Sequence, residues 1–210
     1  MKVIREEANG TLFPFIAYIP DRIGAHPALL FQLHGAGERG LGGTELDRVL
    51  IHGFANTVTD ENLQDCILIM PQCPTDTFWA ARVESIKAFI DAMIAEFDAD
   101  TSRIYLCGLS MGGFGTWYTA MAYPQLFAAI VPCCGGGMPW NASVLTMPVW
   151  AFHGLKDKVV SPLYTTEMVE ALKKHNTHVK CDLYEDVGHG SWVRAFCEET
   201  LAWMLAQKKA

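Results

Sequence analysis

The chain has 210 residues, half of them hydrophobic and 19% charged. That length fits one folded domain over 1–210, and the composition excludes bulk disorder. The formal net charge is −7 and the 16 basic residues are scattered, a poor electrostatic match for nucleic acid or an anionic membrane surface. No Asp, Glu, Lys or Arg occurs between Ile104 and Leu155, but Pro124, Pro132, Pro139, Pro148 and many glycines interrupt the stretch. A membrane span of about 20 uninterrupted apolar residues is therefore not expected there.

The chain opens MKVIREEANG, with no apolar run behind the basic residues. No signal peptide is read, and a cytoplasmic location is expected. Residues 3–20 hold two extended runs around Asn9-Gly10, a dipeptide suited to a hairpin turn. Short runs bounded by Gly or Pro follow at 28–35, 66–72, 103–110, 128–136, 147–154 and 179–186. Several are apolar almost throughout, the pattern of strands buried on both faces of a parallel sheet.

Between them lie helical patterns. Val83, Ile86, Phe89, Ile90, Met93, Ile94 and Phe97 make one apolar stripe. Leu163, Met168, Val169 and Leu172 repeat the spacing, with Asn176 expected as the C-cap. One closing helix is expected over 191–209, with Trp192, Ala195, Phe196, Leu201 and Leu205 inward. Strand and helix alternate, which argues an α/β fold: an open, mostly parallel sheet, helices on both faces, and an antiparallel N-terminal hairpin at its edge. Chemistry in such sheets sits at the carboxyl ends of the strands.

There the run 103–110 leads into Gly108-Leu109-Ser110-Met111-Gly112 and a helix of small residues. This is the strand–turn–helix context of a nucleophile elbow, with glycines where a Cβ would collide. A serine hydroxyl needs a base, and the base an orienting acid. Asp157 is the first acid after the uncharged stretch. His189 stands between glycines beyond the last strand. Asp182, Glu185 and Asp186 are rival acids, but they share the strand end of His189. Two backbone N–H groups should hold an oxyanion, Met111 after the nucleophile and Ala36 in the loop His34-Gly35-Ala36-Gly37. An imidazole base predicts activity rising with pH across about 6–7.

Other residues read in two ways. Trp79, Trp140 and Trp192 are pocket walls or ordinary packing. Glu38 and Arg39 anchor a substrate, pair with each other or, the preferred reading, lock their loop. His34 and His153 brace loops. The seven cysteines read as buried thiols, with Cys133-Cys134 the alternative as a redox or metal pair. His34, His153 and His189 lie far apart in sequence, so no metal site is expected.

Six segments together, HGAGERG (34–40), PQCP (71–74), RIYLCGLSMGGFGTW (103–117), YPQLFAAIVPCCGG (123–136), PVWAFHGLKD (148–157) and GHGSW (188–192), resemble the α/β-hydrolase superfamily. The likeness is to its esterase branch, related to feruloyl esterases and polyhydroxybutyrate depolymerases, whose members also include prolyl-oligopeptidase-like predicted peptidases. Dienelactone hydrolases are similar but carry a cysteine where this chain has Ser110. The resemblance implies an α/β-hydrolase fold with little chain left for a cap. It implies Ser110, Asp157 and His189 as triad, Ala36 and Met111 as oxyanion donors, and no cofactor. The implied partner is a small soluble ester, possible classes including acyl-sugar and hydroxycinnamoyl esters. A peptidase or amidase, a thioesterase and a non-catalytic binding protein of the same fold are the alternatives. Acyl group, alcohol and oligomeric state stay open.

Overall fold

The computed structural model describes residues 1–8 and 13–209. Eight strands form one sheet: β1 (Lys2–Glu6), β2 (Phe15–Ile19), β3 (Ala28–Leu33), β4 (Cys66–Pro71), β5 (Ile104–Leu109), β6 (Ala129–Cys133), β7 (Val149–Gly154) and β8 (Val179–Tyr184). Their order is β1-β2-β4-β3-β5-β6-β7-β8. β2 pairs antiparallel with both β1 and β4, and every other pair is parallel. The described β1–β2 pairing runs from Lys2↔Ile19 to Glu6↔Phe15. Asn9 and Gly10, the expected turn, lie outside the described residues.

The strands are apolar throughout because both faces are covered. Leu29, Phe31, Leu33, Ile104 and Leu106 point into one core, against Phe89 and Ile90 of helix α2 (Val83–Glu96), Trp117 of α3 (Met111–Ala122) and Met168 of α4 (Leu163–Leu172). Their neighbours Leu30, Tyr105, Cys107 and Leu109 point into the other, with Leu46, Val49, Phe54 and Leu201. The period-2 alternation of each strand thus feeds two apolar layers. The uncharged stretch 104–155 is β5, α3, β6 and β7, the middle of the sheet. The short helix α1 spans Asp60–Leu63. No helix of the described residues is long and apolar enough to cross a membrane, and none of the described elements is large enough to form a cap.

Two expectations are corrected. The closing helix is broken into α5 (Trp192–Ala195) and α6 (Glu198–Leu205). At the break the Phe196 carbonyl accepts the Thr57 hydroxyl at 2.6 Å, and its ring meets Phe54 edge-on. Asn176 is no C-cap: α4 ends at Leu172. Its buried amide instead donates to the Leu145 and Met147 carbonyls at 3.0 and 2.7 Å.

Candidate active site

The elbow forms where β5 turns into α3. Ser110 has φ 53° and ψ −116°, a left-handed conformation rare for a residue with a side chain. Two contacts hold it there: its N–H donates to the Cys133 carbonyl at 3.0 Å, and its carbonyl accepts from Phe114 N–H at 3.1 Å. A Cβ on Gly108 would strike the Gly112 carbonyl, and one on Gly112 the Leu33 carbonyl. Both flanking positions must therefore be glycine for helix and strand to approach this closely.

From the elbow the Ser110 hydroxyl reaches His189 Nε2 at 2.9 Å. His189 comes from the loop after β8, and its Nδ1 lies 2.7 Å from Asp157 Oδ2. Asp157 sits in the turn after β7, where its Oδ1 accepts the N–H groups of Val159 and Val160 at 2.8 and 2.9 Å. Burial pushes its carboxyl up, but the bonds from His189, Val160 and Val159 outweigh this and hold it below the ordinary carboxylate value. A second imidazole reaches the same oxygen, with His153 Nε2 3.2 Å from Oδ2. The sequence reading missed this contact. The four-residue spacing of His153 and Asp157 across a tight turn was the one available clue.

Ala36 begins the 3-10 turn 36–38 and Met111 begins α3, so neither N–H has a partner inside its own helix. The Ala36 loop leans on the elbow: a Cβ on Gly35 would lie 3.7 Å from Ser110 Cβ and 2.9 Å from Glu38 Oε2. His34 braces this loop as expected. Its Nδ1 donates to the Gly35 carbonyl at 2.6 Å and its Nε2 accepts Cys73 N–H at 2.9 Å. Burial pulls its pKa down to about 4, so the ring is neutral. Arg39 locks the loop, donating to the carbonyls of Ala36, Thr75 and Thr77. Gln72 closes it from below, donating to the Glu38 and Glu45 carbonyls and accepting from Gly42 N–H. Glu38 does not pair with Arg39. It is buried, faces His34 and His52 at 3.9 and 3.8 Å, and its Oε2 has no hydrogen-bond partner.

The three tryptophans part ways. Trp79 is fully buried, packs edge-on to Phe13 and His34, and donates its indole N–H to the His34 carbonyl at 3.0 Å. It is a support beneath the Ala36 loop, not a pocket wall. Trp140 is 81% exposed on the turn after β6. Trp192 meets the His189 ring edge-on with centroids 5.1 Å apart, and on another side packs against His52. A cleft of about 320 Å³ starts there, lined by His52, Asn56, Thr57, Trp192 and Val193 among others.

Cys133 and Cys134 are buried and free. Among the described residues, Cys134 offers a ligand atom within 4.8 Å of Asp157 and His189. Both Asp157 oxygens are already engaged by backbone N–H groups and imidazoles. The donor set therefore fits a hydrogen-bonded carboxylate better than a metal cage.

Sheet order, elbow and strand-end site together are those of an α/β hydrolase. The pattern of the Phospholipase/Carboxylesterase family matches residues 75–199, more than half of the chain, and the chain belongs to that family. It is 28% identical over 159 residues to a bifunctional acetylxylan esterase/xylanase of Neocallimastix patriciarum, covering 69% of this chain and 21% of that one. It is 31% identical over 129 residues to feruloyl esterase B of Neurospora crassa, covering 58% and 44%. The chain thus spans less than half the length of these relatives. A solved thermostable esterase superposes with a TM-score of 0.85 at 26% identity, over 99% of this chain and 63% of that one.

Proposed function

We propose that the protein is a serine esterase of the carboxylesterase type, cleaving small soluble carboxylic esters through an acyl-enzyme on Ser110. The observation that supports this reading is the hydrogen-bonded line from Ser110 through His189 to Asp157, at 2.9 and 2.7 Å. His189 Nε2 takes the Ser110 proton as the oxygen attacks the ester carbonyl. Asp157 keeps the proton of His189 on Nδ1 and stabilises the imidazolium that forms. The N–H groups of Ala36 and Met111 receive the negative oxygen of the tetrahedral intermediate, where one such donor is worth about 3 kcal/mol. The imidazolium then protonates the leaving alcohol, and water repeats the sequence on the acyl-enzyme. The cleft beside Trp192, about 320 Å³, takes no wall from Ser110, Asp157 or His189; lying next to His189 and near the lower end of small-molecule sites, it is read as room for a short ester group.

The test is a panel of p-nitrophenyl esters from two to twelve acyl carbons, with feruloyl and acetyl-sugar esters and matched amides and thioesters. Esters with short acyl groups should turn over fastest, and Ser110→Ala should abolish turnover. Full activity in Ser110→Ala would sink the reading. Amide cleavage matching ester cleavage would move it to a peptidase or amidase, and preference for thioesters to a thioesterase.

A further inference from the structure

His153 is fully buried at the end of β7, and its surroundings define the protonation of Nε2. Burial pulls its pKa below the ordinary imidazole value, against the opposing pull of the Val160 carbonyl and Asp157. Nε2 lies 3.0 Å from the Val160 carbonyl and 3.2 Å from Asp157 Oδ2, and a carbonyl oxygen only accepts. Nε2 therefore carries a proton, shared between those two oxygens. Nδ1 lies 2.7 Å from the Thr165 hydroxyl, whose proton goes to the Gly135 carbonyl at 2.7 Å.

We propose that His153 is a positioning residue for the acid of the triad: its Nε2–H pins Asp157 Oδ2 and tempers the basicity of that oxygen toward His189. This rests on the reading of Ser110, His189 and Asp157 as the reacting line. The backbone of Val159 and Val160 secures only Oδ1. Without His153, Oδ2 would be held by His189 alone, the group whose charge changes during each turnover. A carboxylate that loses one donor concentrates more charge on the remaining bond and stabilises imidazolium more strongly. The base then keeps its proton to higher pH. Asp157 faces His189 from the loop after β8, His153 from β7 and the Cys134 thiol from the loop after β6. Its chain neighbours Lys156 and Lys158 are exposed, and Glu38 faces His34 and His52 instead.

The test compares kcat and KM for p-nitrophenyl acetate across pH 5–9 in the wild type, His153→Phe and His153→Gln, with near-ultraviolet circular dichroism to establish folding. In His153→Phe, kcat should fall by about 10- to 100-fold, the cost typical of losing a partner behind a reacting group, while KM stays within about twofold. The acid limb of kcat/KM should move up by roughly half to one pH unit. His153→Gln places an amide donor near the lost Nε2–H and should bring the limb back toward the wild-type position. A folded His153→Phe whose acid limb stays in place would overturn the proposal. If that variant does not fold, ¹⁵N spectroscopy of the wild-type ring decides. A protonated Nε2 at pH 7 is expected, and a bare Nε2 would overturn the proposal. Ser110→Ala separates the two ideas: if it stays active the triad reading fails, whereas the protonation of His153 Nε2 is read without turnover.

Discussion

The two ends of the same sheet are built on opposite terms. At the amino ends the polar groups satisfy one another. Arg103 donates to Asp100 at 2.8 Å, to Asp65 at 3.1 Å and to the His26 carbonyl at 2.8 Å. Asp65 also accepts Gly24 N–H at 2.7 Å, and Lys209 Nζ bonds the Gln125 and Leu126 carbonyls. The larger cleft there, about 650 Å³, is bordered by Gln125, Pro148, His178 and Lys209 and includes no triad residue. Left-handed backbones occur at both ends, in Gln64 and Asp98 ahead of β4 and β5 and in Ser110 and Cys134 after β5 and β6, but at the carboxyl ends two imidazoles, His34 and His153, are buried and Glu38 Oε2 lacks a partner. A buried polar group without a partner costs stability, and it persists where the surrounding structure enforces it. The smaller cleft takes no wall from Ser110, Asp157 or His189 either, but it adjoins His189 through Trp192.

That contrast can be broken experimentally. The largest effect should come from Asp157→Asn, which keeps the shape of the side chain but disturbs the His189 tautomer. A fall of about 10⁴ in kcat is expected with the fold intact, checked by ester hydrolysis beside circular dichroism. A loss of only a few-fold would hand the acid's role to another carboxylate.

Acid should weaken the carboxyl end first. His34 has a folded pKa of about 4 against an ordinary 6.5, so the unfolded chain takes up a proton that the native ring refuses. Stability from this group is complete above about pH 6.5 and is lost as pH falls toward 4, amounting to about 3 kcal/mol. His153 shifts in the same direction. Asp157 is held low, and its contribution, present above the ordinary carboxylate value, is lost only as pH falls further. Urea midpoints measured from pH 7 to 4 should decline steadily, and a flat profile over that range would contradict the assigned protonation of His34.

The smallest effect should come from the amino end. Arg103→Met removes the bridge between Asp100 and Asp65 and should cost about 1 kcal/mol, since the pair is only partly shielded from water. kcat/KM should stay within about twofold of wild type. A tenfold loss of activity would mean that the two ends are not separable.

How much of this was legible in the sequence depended on distance along the chain. Apolar strands and the stripe of α2 were readable because their periodicity is local. The elbow was readable because Gly108, Ser110 and Gly112 answer to one turn. Trp79 was left between pocket wall and ordinary packing because its partner, the His34 carbonyl, lies 45 residues away. The break between α5 and α6 was hidden for the same reason: Thr57, 139 residues distant, captures the Phe196 carbonyl. The shared hold on Asp157 depends on the turn in which its N–H bonds the Gly154 carbonyl, folding the acid back onto His153.

The Thr57–Phe196 bond has a consequence for selection. It ties the segment bearing His52 to the segment bearing Trp192, the two jaws of the cleft beside His189. With the jaws bolted together, the cleft behaves as a fixed gauge. If the cleft receives the ester of the proposed reaction, discrimination should follow the width of the group presented.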